Sequence, residues 1–206
     1  GQIVWRGRSG SRLDIYLWNG ASVRLLSRDT QDNRGPHINA SGQVVWEGDG
    51  QVYLWDGTSV RQLTQTPISN DPGLTDDERL QINGAGQVVW ESDFQIYLWD
   101  GVKTQALVPT IPGESLFGSH PQINAAGHVV WQGSMDSDTL GIYLWDGAVA
   151  SRLSPPTAAG YDPRISDGGP VSWLGIEPNP EQTGLYLWDG AQMHLLTDRL
   201  DRARAY

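Results

Sequence analysis

The chain has 206 residues, with 14 Lys and Arg against 24 Asp and Glu, a formal net charge of −10 and no cysteine. A surface of that sign repels phosphate backbones and excludes nucleic acid as a partner class. The missing cysteines exclude a disulfide framework and a thiolate metal site, and no apolar run is long enough to span a bilayer as a helix.

In chain order, the first predicted strand covers residues 2–5 and ends on Ile3-Val4-Trp5. The next ends on Tyr16-Leu17-Trp18 and is followed by Asn19-Gly20. Both motifs then recur. Val44-Val45-Trp46 precedes Tyr53-Leu54-Trp55-Asp56-Gly57, and Val88-Val89-Trp90 precedes Tyr97-Leu98-Trp99-Asp100-Gly101. Val129-Val130-Trp131 precedes Tyr143-Leu144-Trp145-Asp146-Gly147, and Val171-Ser172-Trp173 precedes Tyr186-Leu187-Trp188-Asp189-Gly190. All ten tryptophans belong to these two series, and the first series is spaced by 41, 44, 41 and 42 residues. Self-similarity at that period marks one supersecondary unit used five times.

Each unit reads as four short strands. Around residues 80–107, a short inner run ends on Ile82-Asn83 and turns through Gly84-Ala85-Gly86. Two β-branched and aromatic runs follow, 87–91 and 95–99, too short for helices. Asp100-Gly101 is a hairpin signal, because Gly tolerates positive φ and Asp tolerates it better than most residues. A polar, alternating run over 102–107 suits an outer strand. Helical content is confined to one turn near residues 75–79. In Ile96-Tyr97-Leu98-Trp99 both faces are apolar, which suits a sheet packed between two others. The predicted fold is all-β: a single domain over 1–206, a five-bladed β-propeller of four-stranded blades. The repeats span 1–41, 42–85, 86–126, 127–168 and 169–206. The first and last repeats keep the apolar motifs of the middle ones, which favours a closed ring over a capped solenoid.

Three stretches carry a family resemblance: Pro121-Gln122-Ile123-Asn124-Ala125-Ala126-Gly127-His128-Val129-Val130-Trp131, then Ile142-Tyr143-Leu144-Trp145-Asp146-Gly147, then Arg152-Leu153-Ser154. Together they resemble the WD-like repeat of TolB-type bacterial propellers. That repeat runs from a proline and a short inner strand through a Gly turn to an Ile-Tyr strand ending in Asp. The resemblance extends over all five units and implies a fold. It departs in placing Trp at both strand ends and in using Asn-Ala-Ala-Gly, Asn-Gly-Ala-Gly or Asn-Ala-Ser-Gly turns.

The chain opens on the second strand of its first unit. The inner strand that would complete it is sought in Arg202-Ala203-Arg204-Ala205-Tyr206, so that the two chain ends pair and close the ring, removing exposed edges. The start at Gly1, inside a motif, suggests a mature or excised segment. Turns after the inner and third strands are tight. Connections between second and third strands (134–141, 176–184) and between outer and inner strands (64–79, 109–120) are expected to be long and to crowd one face, where function in repeat arrays sits.

The inner strands offer His37 and Asn39, Gln81 and Asn83, Gln122 and Asn124, Arg164 and Ser166 on one side. His37, Gln81, Gln122 and Arg164 are the candidate ligand-binding set at the channel mouth, with Arg164 the fixed cation for an anionic or carboxylate ligand. The Asn series is expected to cap its turns. The tryptophans are expected to pack between sheets, each indole N–H reaching a carbonyl, in preference to stacking on sugars. Histidines 37, 120, 128 and 194 form no helical metal pair, the acidic stretches 136–138 and 71–77 match no calcium loop, and no nucleophile elbow is present. No cofactor, metal or catalytic residue is assigned. The reading is a monomeric, non-enzymatic binding or protein-interaction module, exported to the periplasm or beyond. The alternatives are a multivalent lectin-like propeller and, behind it, a hydrolase or lyase with a channel-centred site.

Overall fold

The computed structural model describes residues 1–68, 79–109, 116–134, 139–178 and 181–197, without the side chains of 177, 178, 181 and 182. The described chain forms five antiparallel sheets in which every strand pairs with its neighbours in sequence. Sheet 1 holds β1 (Ile3–Ser9), β2 (Arg12–Trp18) and β3 (Val23–Leu25). Sheet 2 holds β4 (Asn33–Ile38), β5 (Val44–Gly48), β6 (Gln51–Trp55) and β7 (Val60–Gln62). Sheet 3 holds β8 (Leu80–Ile82), β9 (Val88–Ser92), β10 (Gln95–Trp99) and β11 (Thr104–Ala106). Sheet 4 holds β12 (Phe117–Ile123), β13 (Val129–Ser134), β14 (Gly141–Trp145) and β15 (Ala150–Arg152). Sheet 5 holds β16 (Ala159–Ile165), β17 (Val171–Pro178), β18 (Glu181–Trp188) and β19 (Met193–Thr197). Sheet 1 has three strands among the described residues, as a chain opening on a second strand requires. Its proposed closing strand, 202–206, lies outside the described residues. So do residues 75–78 of the expected helical turn, of which only Arg79 is described, with helical backbone.

The chain falls into two compact units, Gly1–Asp93 with Tyr97–Gln105, and Phe94–Ile96 with Ala106–Tyr206. Each unit is held by the same kind of sheet-to-sheet contact. In the first, Ile15, Leu17 and Leu26 of sheet 1 pack on Val44, Trp46 and Trp55 of sheet 2. Val45, Val52 and Leu54 of sheet 2 then pack on Val88, Trp90 and Trp99 of sheet 3. In the second, Val130, Ile142 and Leu144 of sheet 4 meet Val171, Trp173 and Tyr186 of sheet 5. The cause is the two-residue period of a strand, which sends Ile/Val-x-Leu to one face and Tyr-x-Trp to the other. In each of these three contacts an aliphatic face therefore meets an aromatic one.

Inside every sheet the second-strand Trp stacks on the third-strand Tyr directly opposite. The pairs Trp5–Tyr16, Trp46–Tyr53, Trp90–Tyr97, Trp131–Tyr143 and Trp173–Tyr186 have centroids 5.6–6.0 Å apart and planes within 10–19°. Six tryptophans are buried and the other four half-buried, as packing residues should be. The expectation that each indole N–H reaches a carbonyl fails at two of them. Those of Trp46 and Trp131 are buried and find no acceptor among the described residues.

The Asp-Gly signal marks the turns for a different reason from the one expected. Asp56, Asp100, Asp146 and Asp189 are absent from the positive-φ residues, whereas Gly57, Gly101, Gly147 and Gly190 lie at φ 99–106°. The aspartate instead caps a four-residue loop. Asp56 Oδ1 accepts from the backbone N–H of Thr58 and Ser59, both at 2.8 Å. Asn19 Oδ1 does the same for Ala21 and Ser22. Asn39, Asn83 and Asn124 cap the turns after the inner strands as expected, each Oδ1 accepting two backbone N–H groups.

The long-loop expectation needs correction. Second-to-third connections are two-residue turns in three sheets: Gly10-Ser11, Asp49-Gly50 and Asp93-Phe94. The stretch 176–184 is mostly strand, because β17 and β18 continue pairing as far as Pro178 opposite Glu181. The crowding of one face therefore rests on the outer-to-inner connections, which are only partly described.

Candidate functional site

The inner strands β4, β12 and β16 share a backbone device. Their ladders shift between Arg34 and His37, between Ser119 and Gln122, and between Tyr161 and Arg164. In each, two residues of the inner strand stand opposite one tryptophan of the second strand: Gly35-Pro36 against Trp46, His120-Pro121 against Trp131, Asp162-Pro163 against Trp173. Proline has no N–H to give a ladder, so it belongs in a bulge. The residue before it takes a left-handed conformation, with φ 55° at Gly35, 55° at His120 and 50° at Asp162. For the histidine and the aspartate this conformation is strained, and before a proline the allowed range narrows further. Sheet 3 has Leu80 where the others have proline, and its ladder runs unbroken from Leu80 opposite Trp90.

The residue after the bulge is the predicted site residue. His37, Gln81, Gln122 and Arg164 pair with Val45, Val89, Val130 and Ser172, which occupy the same position in their sheets. Their equivalence is therefore observed. All four lie on edge strands, since β4, β8, β12 and β16 each end their sheet. β4 and β8 are neighbours in the first unit, and β12 and β16 in the second. Within each unit the structure brings two of the four onto adjacent strands. His37, Gln81 and Gln122 are half-buried, and Arg164 is exposed. Arg164 Nη1 donates to the Pro163 carbonyl at 3.4 Å, a weak bond that uses one of its five donors.

Charge deepens toward the other end of sheet 2, at the β5–β6 turn. Arg34 bonds Asp32 at 2.9 Å and lies 3.6 Å from the buried carboxylate of Glu47. Asp49, at the β5–β6 turn with φ 49°, accepts from the N–H of Gln31 and of Asp32. That ties the hairpin to the connection entering β4. His120 Nδ1 sits 3.2 Å from Ser119 Oγ inside the bulge. Sequence reasoning noted the proline before the inner strand but missed the bulge, although Pro36, Pro121 and Pro163 stand two residues before the inner-strand isoleucines.

Two cavities open in the first unit, away from these strands. One of about 350 Å³ is lined by Thr64, Thr66, Trp90, Asp93 and Tyr97 among others. One of about 340 Å³ is lined by Arg24, Arg28, Trp55, Thr58 and Ser59, with the Arg24 guanidinium 4.8 Å above the Trp55 ring. No group of three potential metal-ligating residues occurs among the described residues. His194 bonds Asp189 at 2.7 Å on the exposed outer edge of sheet 5.

No family model matches the chain, and no curated protein matches it in sequence. Solved structures do match in shape. A puromycin hydrolase superposes with a TM-score of 0.59 at 13% identity, over 93% of this chain and 34% of its own. The acylaminoacyl peptidase of Pyrococcus horikoshii gives 0.56 at 14%, over 91% and 31%. TolB from Acinetobacter baumannii gives 0.51 at 16%, over 96% and 52%. The chain thus spans between a third and a half of the structures it resembles. Identities this low show a fold, and the fold is that of TolB-like β-propeller sheets.

Proposed function

We propose that the chain is a non-enzymatic binding module that takes a small anionic or carboxylate-bearing ligand at its inner-strand edges. His37 and Gln81 on the inner strands of the first unit, and Gln122 and Arg164 on those of the second, are the residues that would hold it. The observation that supports this is the bulge. Three of four inner strands keep a left-handed step before proline, and in two of them, at His120 and Asp162, it costs roughly 1–3 kcal/mol. Bulges re-aim side chains beside sites, and here the side chain re-aimed is His37, Gln122 or Arg164. Arg164 supplies the outward charge, and the two amides and the imidazole supply hydrogen bonds.

The hydrolase and the peptidase it resembles favour catalysis only by analogy of fold, which is a weak warrant. A lectin-like role through the strand tryptophans is disfavoured because six of the ten are buried and each second-strand ring stacks on a tyrosine. An exported location belongs to the same proposal and rests on the likeness to TolB.

The test is a thermal-shift screen of the whole chain against phosphate, citrate, succinate and short peptides with free carboxylates. A binder should raise the melting temperature, and Arg164→Ala should abolish that rise while leaving the unliganded melting temperature nearly unchanged. An Arg164→Ala protein that melts far lower without ligand would place the residue in the fold's own hydrogen-bond network and remove the site's cation.

A further inference from the structure

Every described sheet-to-sheet contact in this chain has a direction. The outgoing face carries Ile or Val and Leu from the third strand and a Leu just beyond the outer strand. The incoming face carries Val or Ile and Trp from the second strand and Tyr-x-Trp from the third. Sheet 1 sends Ile15, Leu17 and Leu26 to sheet 2, and sheet 4 sends Ile142, Leu144 and Leu153 to sheet 5. Sheet 5 repeats the outgoing set as Leu185, Leu187 and Leu196, at matching registers opposite the ends of its own strands.

That set is uncovered. Leu196 is 51% exposed, where its equivalents Leu26 and Leu107 are 4% and 5% and Leu63 and Leu153 are half-buried. Leu185 and Leu187 are half-buried, where Ile15 and Leu17, Val52 and Leu54, Ile142 and Leu144 are buried. The capping detail is nevertheless complete: Thr197 Oγ1 accepts the N–H of Leu185 at 3.2 Å, as Ser27, Thr64 and Ser154 accept those of Ile15, Val52 and Ile142. Sheet 1 shows the converse. Its incoming residue Ile3 is 56% exposed while Val44, Val88, Val129 and Val171 are 0%. Apolar surface this regular is a contact site that lacks its occupant.

We infer that the outgoing face of sheet 5 docks a further sheet of this same repeat type, one that presents a Val-x-Trp strand and a Tyr-x-Trp strand. The interface would repeat those formed between sheets 1 and 2, 2 and 3, and 4 and 5. The occupant is argued from its chemistry, since each aliphatic face in the described cores is met by two tryptophans. The partial coverage of TolB and the hydrolase, 52% and 34% of their lengths, leaves room for such sheets in proteins of this fold.

The experiment supplies that sheet. Residues 28–64, which carry all of sheet 2, are attached directly after Thr197, just as residue 28 follows the equivalent Ser27. This chain is compared with the full chain of 206 residues. The extended protein should melt at least about 4 °C higher and bind markedly less of a dye for exposed apolar surface. Leu196→Asp should lower its melting temperature and leave that of the unextended chain unchanged. Two results overturn the inference. In one, Leu196→Asp destabilises the unextended chain as much as Leu26→Asp does, and the face is already covered within the chain. In the other, light scattering gives a dimer of the unextended chain that Leu196→Asp dissociates, and the occupant is a second copy.

Discussion

At the residue scale the tryptophans are structural. Trp55 is 6% exposed, packs in the core between sheets 1 and 2, and lies under the guanidinium of Arg24. Removing so large a buried ring costs about 3–5 kcal/mol, while the cation–π contact contributes only about 0.5–1 kcal/mol at an open site. Trp55→Ala should therefore lower stability in urea melts several times more than Arg24→Ala. Equal effects would mean that the ring is anchored by charge and not by packing.

The turn aspartates give a pH prediction. Asp56, Asp100, Asp146 and Asp189 are held below the ordinary carboxylate value, first by the backbone N–H of Ser59, Lys103, Val149 and Gln192 respectively. At Asp189, which also bonds His194, the value falls to about 2. A lowered folded value means the fold prefers the charged form. The stabilisation is present above the ordinary value of 3.8 and fades as pH falls through the folded one. Replacing all four with Asn should keep the turns, since Asn19 already makes the same two bonds with an amide oxygen. Thermal melts of that variant should match the parent near neutrality and decline less between pH 4 and pH 2. Parallel declines would show that these caps carry no pH-linked stability.

At the element scale the informative feature is the bulged inner strand. Gly35 adopts φ 55° without a side chain, and His120 and Asp162 adopt φ 55° and 50° with one. Glycine in an extended segment loses roughly 0.5–1 kcal/mol in chain entropy, and relieved strain returns roughly 1–3 kcal/mol. The second term is larger, so Asp162→Gly should raise the melting temperature by a few degrees. A lower melting temperature would mean that the aspartate's own contacts outweigh its backbone cost. The strands themselves were legible because their β-branched and aromatic runs are short and punctuated. The bulges were less so. Pro36, Pro121 and Pro163 are visible in the sequence, but an X-Pro step near a strand also suits a strand start or an edge. Only the ladder shift opposite Trp46, Trp131 and Trp173 decides between them. The 176–184 stretch misled for a related reason: its prolines and glycine suggest a loop, yet cross-strand pairing to β18 carries the ladder through them.

At the scale of the whole molecule, the period of the tryptophan motifs revealed five like units before any strand was assigned. The direction of their packing was not legible. A strand with two apolar faces does not say which face meets which neighbour, and that polarity emerged only when Leu26 and Leu196 were compared in place. The candidate site was half legible. Alternation placed His37, Gln81, Gln122 and Arg164 at one register, and the structure holds them there. Their ligand is a matter of chemistry that no periodicity encodes. The loop argument has weakened, since three of its connections are two-residue turns and the four residues lie beside the tight turns at the other end of their sheets; the bulges now carry the proposal.

The most direct test of the binding account is a residue-resolved one. The isotope-labelled chain is titrated with the best anionic binder from the screen, and backbone amide shifts are followed by NMR. The account predicts that shifts concentrate at residues 35–38, 80–82, 120–123 and 162–165, and that Arg164→Ala suppresses them. Shifts concentrated instead at the turns of Asp56, Asp100 and Asp146, with the inner strands unmoved, would contradict it and place binding on the third-to-outer-strand turns.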